Sequence, residues 1–195
     1  MAATGRYKEM EELFQSMQLG TEDGIDPRIS SYDAILSARI QEKSWDDVFS
    51  LYDEMKAKDI RPSSYTVKGL IIANEQKDGR KAVSSALESL LLSTAQFDES
   101  TFRISSEILF QDVDENLDDF RKTVREIGEA NQDLRDASLD LVRSIRFAEI
   151  ESGRPKIVHD LTNGTKHSGE DAWRSATSKL LIFSQALLGS KDDIE

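Results

Sequence analysis

Apolar residues recur along this chain at helical spacing, not by strict alternation. Met10/Leu13/Phe14/Met17, Val48/Leu51/Tyr52/Met55, Val83/Ala86/Leu87/Leu90 and Phe120/Thr123/Val124/Ile127 each follow i, i+3, i+4, i+7. That spacing lays a stripe along one helix face and predicts a helix at each place. A second series lies between them: Tyr32, Val67, Phe102 and Ala137 stand 35 residues apart. The pairs Ile35-Leu36 and Leu70-Ile71 repeat at the same interval, as do Pro27 and Pro62. Start signals recur too. Ser44-Trp-Asp-Asp-Val and Asn116-Leu-Asp-Asp-Phe both offer a capping side chain followed by acids that favour the positive helix end. Asp78-Gly79-Arg80 falls between two helices, and Gly153-Arg-Pro155 places a proline in the first turn of a later one.

The pattern predicts an all-α fold of helix–turn–helix units of about 35 residues, in four hairpins or part-hairpins over residues 5–165. One hairpin cannot bury its own stripe, so neighbours must stack into an α-solenoid. Ala172-Trp173…Ala176…Leu180…Phe183…Leu187 predicts a last, more apolar helix, either a terminal cap or a surface for another chain. Composition agrees: 3 Pro and 10 Gly in 195 residues are few for a loop-rich or all-β chain.

The residues that carry most information are Ile29-Ser-Ser-Tyr-Asp-Ala-Ile-Leu36, Ser44-Trp-Asp-Asp-Val-Phe-Ser-Leu-Tyr-Asp-Glu-Met-Lys56 and the closing Ile60-Arg-Pro-Ser63. Together, residues 29–63 closely resemble a pentatricopeptide repeat. Residues 64–98 resemble a second copy, and 99–133 and 134–168 degenerate ones. Tetratricopeptide repeats are the near alternative, but their Trp/Leu-Gly/Tyr pattern is not visible. The resemblance implies a right-handed superhelix over residues 1–168, with 169–195 as a capping helix and acidic tail. It also implies binding of single-stranded RNA in a mitochondrion or chloroplast, one base per repeat. The fifth and last residues of each repeat would select the base. Here these are Asp33 with Ser63, Lys68 with Asp98, and Arg103 with Asp133. Tyr65 and Arg135 fall where the family sandwiches bases. None of the three pairs follows the family's preferred Asn, Thr or Ser with Asp or Asn. Lys68 or Arg103 facing Asp98 or Asp133 would form salt bridges across the groove.

Charge pulls in another direction. The chain has 25 Lys+Arg against 37 Asp+Glu, a net −12, and repels a polyanion as a whole. Residues 107–140 hold eleven acids and four bases, which is either a solvated helix face or a surface for a basic partner. Two functions therefore stand side by side. One is a scaffold binding single-stranded RNA in organellar RNA metabolism, through Asp33, Ser63, Tyr65, Lys68, Asp98, Arg103, Asp133 and Arg135. The other is a protein–protein adaptor or accessory subunit, with Trp173, Leu180, Phe183 and Leu187 as the docking surface.

Searches for reactive chemistry point away from an enzyme. There is no cysteine, hence no disulfide, zinc finger or thiol nucleophile. Asp112-Val-Asp114-Glu-Asn116-Leu-Asp118 begins like a calcium loop, but Leu117 replaces the bending glycine and Thr123 the bidentate Glu. His159 and His167 are the only histidines, and their spacing suits no metal helix. Asn163-Gly-Thr165 reads as turn chemistry. No phosphate loop or nucleophile elbow is present. No apolar run approaches the roughly 20 residues of a membrane span. The first residues lack the apolar core of a signal peptide. No cofactor, metal, membrane insertion or DNA partner is expected.

Overall fold

In the computed structural model, residues 2–18, 27–110, 116–153 and 168–192 are described, and all regular structure there is helical. The helices are α1 (Ala2–Gln18), α2 (Ile29–Gln41), α3 (Trp45–Ala57), α4 (Ser64–Asp78), α5 (Arg80–Leu92), α6 (Glu99–Phe110), α7 (Leu117–Ala130), α8 (Arg135–Gly153) and α9 (Ser168–Asp192). A 3-10 turn over Gln132–Leu134 leads into α8. The 35-residue period is visible in the coordinates: α2, α4, α6 and α8 begin at residues 29, 64, 99 and 135. His159, His167, the Asn163 turn, the Pro155 helix start and most of the Asp112–Asp118 run lie outside the described residues.

Turn chemistry sets the hairpin geometry. After α3, the N–H of Ile60 bonds to the carbonyl of Met55 at 2.9 Å and that of Asp59 to Lys56 at 3.1 Å. This is a Schellman closure, with Asp59 at φ 55° in the left-handed region. Ile60 then packs into the cluster holding Met55. The Met-Lys-x-x-x-Ile run is thus a helix stop with its own hydrophobic clasp. The turn after α2 is built alike, with Lys43 at φ 57° and Ser44 N–H on the Arg39 carbonyl at 2.9 Å. Between α4 and α5 a single residue, Gly79 at φ 77°, makes the whole connection.

The first helices stack in order, α2 on α4 and α4 on α6, with α3 and α5 along the other side. Tyr32, Val67 and Phe102, one period apart, are all buried. A small N-terminal cluster of Phe14, Tyr32, Ile35 and Met55 is fixed by an edge-on Phe14–Tyr32 contact at 5.0 Å. The larger core runs from Leu36 to Phe183.

Beyond α6 the regular succession changes. α9 lies along α5 and α6, where the second helix of a third hairpin would sit, and it packs most extensively on α8. α7 pairs with α8 and meets α6 through Phe120, whose ring lies 6.1 Å from Phe102 and 5.7 Å from Phe110. α8 is also turned relative to α4. Ser138, one period after Lys68 and Arg103, is buried, and its hydroxyl donates to the Val124 carbonyl at 2.8 Å.

This arrangement corrects the docking surface expected on the last helix. Trp173, Leu180 and Phe183 are buried, and Leu187 is partly buried against the same core. Trp173 packs on Phe102 at 5.5 Å and Phe183 stacks on Phe110 at 5.7 Å. The helix is apolar because this chain itself covers it. Arg174 adds a polar latch: its guanidinium donates to the carbonyls of Leu91 at 2.8 Å and Ser93 at 3.0 Å, and to that of Ala95. It also lies 4.9 Å from the Phe97 ring centre. Arg61 pairs with Glu170 beside it.

Candidate nucleic-acid interface

The residues that end each repeat also start the next first helix. Ser63 is the N-cap of α4, its Oγ accepting the Thr66 N–H at 3.1 Å. Asp98 plays the same part for α6, accepting the Thr101 N–H at 2.9 Å, while Thr101 Oγ1 accepts the Asp98 N–H at 2.9 Å. Each cap satisfies orphan donors at the positive helix end. The position expected to select a base is therefore also the position that holds the helix start.

The first pair is brought together and closed. Ser63 Oγ lies 2.9 Å from both carboxylate oxygens of Asp33 and donates to them. Thr66 Oγ1 donates to the same group, also at 2.9 Å. Asp33 is thus held by the hydroxyl that ends its own repeat and by one from the next.

The second pair is more open. Asp98 accepts from Ser100 Oγ at 2.6 Å. Burial alone would push its carboxyl up, but hydrogen bonds from Ser100, the Thr101 N–H and Ser64, with the Lys68 charge, together hold it below the usual carboxylate value. Lys68 Nζ also lies 5.7 Å from the centre of the Tyr65 ring, and Tyr65 is 36% exposed. A flat π-face and a cation therefore stand side by side on α4. Every base has a π-face and every nucleotide an anionic phosphate, so this pairing suits an unstacked strand.

The third pair is not assembled. Arg103 donates to Glu99 at 2.8 Å, one turn back on its own helix. Asp133 is exposed on the 3-10 turn, and α6 does not pack against that turn. Arg135 is exposed at the start of α8. The groove position breaks down here because α9 follows α6 in the stack.

The sequence reading missed the hydroxyl rail of Ser64, Thr66, Ser100 and Thr101. The signal was present: Ser63-x-x-Thr66 and Asp98-x-x-Thr101 have capping-box spacing and recur after one period. Among the described residues, no cluster of three or more His, Asp or Glu is arranged to hold a metal ion. No described helix is long and apolar enough to cross a membrane.

Residues 27–73 match the PPR repeat family. That segment contains α2, α3 and most of α4. No curated protein and no solved structure matches the chain.

Proposed function

We propose, for a chain whose residues 27–73 match the PPR repeat family, that this helical-repeat scaffold binds a short single strand of RNA in organellar RNA metabolism. The observation that carries the reading is the exposed Tyr65 ring beside Lys68, on the first helix of a repeat whose ends are held by polar caps. Tyr65 stacks one base and Lys68 neutralises one phosphate. Asp33, held by Ser63 and Thr66, selects no base. Asp98 offers its remaining acceptor capacity to a base edge. Binding is non-catalytic, and the compartment is a mitochondrion or chloroplast.

The test is fluorescence anisotropy with a single-stranded RNA of about ten nucleotides at two salt concentrations. Loss of one stacked base is worth about 1–3 kcal/mol, so Tyr65→Ala should weaken binding roughly 5- to 150-fold. Lys68→Glu should weaken it and flatten its salt dependence, since each phosphate contact to a single strand contributes a slope of about 0.7. Absence of binding at low salt, where phosphate attraction is strongest, would sink the reading.

A second reading, a protein-interaction adaptor, is favoured by the net charge of −12 and by the closed Asp33 site. It predicts a stoichiometric protein partner on native purification, with RNA absent from the complex.

A further inference from the structure

α8 carries a second surface, separate from the groove. Its inner side, with Leu141, Val142, Ile145 and Ala148, is buried. Its outer side carries Leu139, Phe147 and Ile150, which are 37%, 56% and 57% exposed. Arg135, Arg143 and Arg146 are exposed on the same side. At about 100° per residue the six fall within an arc of roughly 120°. Leu139 to Ile150 spans about 16 Å of helix axis, or three turns. The helical neighbours of α8 among the described residues are α7, the 3-10 turn and α9.

Single exposed apolar side chains need no explanation, but three on one helix face form a patch. Here the outer face interleaves apolar and basic side chains, in a chain of net charge −12. Acids do border it. Asp140 lies 3.9 Å from Arg143 and 3.9 Å from Lys179, while Glu149 is taken up by the buried Arg121. Within the arc itself exposed Asp136 stands among the arginines, so the stripe carries three arginines against one aspartate.

That charge decides the occupant. Two copies pairing antiparallel with Leu139 opposite Phe147 would set Arg143 against Arg143, a like-charge contact at the middle of the seam. Leu139 and Ile150 have no π-face, so a single strand gains little by stacking there. A helix with a Leu/Ile/Phe stripe flanked by Glu or Asp satisfies both components. We propose that the outer face of α8 docks an acidic amphipathic helix of a partner protein, with Leu139, Phe147 and Ile150 as the apolar seat and Arg135, Arg143 and Arg146 pairing with its carboxylates. This does not depend on RNA binding at α4.

The test uses two fluorescein-labelled helical peptides of about 16 residues, four to five turns, with identical leucine stripes and either Glu or Lys flanks. The full-length chain should bind the Glu peptide at least tenfold tighter than the Lys peptide, and more weakly as salt rises. Arg143→Glu with Arg146→Glu should reverse that preference. Phe147→Ser with Ile150→Ser should abolish binding of either peptide. Tyr65→Ala with Lys68→Glu should change nothing here while abolishing RNA binding, which separates the two proposals. All these positions are exposed or half-exposed, and circular dichroism confirms that each variant folds. Equal affinity for both peptides overturns the proposal. So does no binding at low salt, displacement of the peptide by single-stranded RNA, or self-association blocked by the same substitutions.

Discussion

At the scale of single residues, one side chain serves two demands at the repeat boundaries. Ser63 and Asp98 cap the next helix and also occupy the position expected to meet a base. Asp98 makes this measurable. Removing a cap costs about 0.5–2 kcal/mol, so Asp98→Ala should lower the urea midpoint at neutral pH. The sign of its pH dependence follows from a carboxyl held below its usual value. The unfolded chain takes up the proton at higher pH than the folded one, so the stabilisation is complete above pH about 4 and is lost as the solution is acidified below it. The difference in urea midpoint between wild type and Asp98→Ala should therefore shrink below pH about 4. Asp98→Asn, which keeps an acceptor, should retain much of the cap and lose the pH dependence.

At the scale of helices, two backbone sites give opposite expectations. A Cβ at Gly128 would lie 2.5 Å from both Cβ and Oγ of Ser138, where α7 and α8 cross. Ser138 is buried and bonded to Val124, so it has little room to yield. Gly128→Ala gains about 1 kcal/mol of helix propensity but forces overpacking that costs about 1–3 kcal/mol. Thermal unfolding should show net destabilisation. Asp59 is the reverse case. It sits in the left-handed region after α3, which costs an L-residue about 1–2 kcal/mol. Asp59→Gly should raise the melting temperature, tempered by the greater freedom glycine adds to the unfolded chain.

At the scale of the whole molecule, α9 changes how the solenoid holds together. In a simple repeat array each unit touches only its neighbours and stability is a sum of local terms. Here Arg174 is tied to the carbonyl of Leu91, and Phe183 stacks on Phe110. The third and fourth units are thereby closed onto the second. Phe183→Ala should cost about 3–5 kcal/mol. The effect should reach far along the chain: Trp45 on α3 and Trp173 on α9, read one at a time by fluorescence, should unfold at the same denaturant concentration. A midpoint for Trp45 that stays at the wild-type value while that for Trp173 falls would show the units uncoupled.

The residues themselves explain what the sequence determined. Periodicity specified the helices, because burying one stripe per helix is a local demand. Pro62, the Met55–Ile60 clasp and the capping hydroxyls specified where the first two repeats turn. The sequence could also bring Asp33 to Ser63, since each repeat's end is its neighbour's beginning. It could not tell which surface covers an apolar stripe. Trp173, Leu180, Phe183 and Leu187 look the same on paper whether another chain or α6 lies against them. Nor could it show α8 turning Ser138 inward, which leaves Leu139, Phe147 and Ile150 facing out. Both outcomes depend on α9 lying beside α6, and side-chain volumes from helices some 70 residues apart decide that contact, which no local pattern encodes.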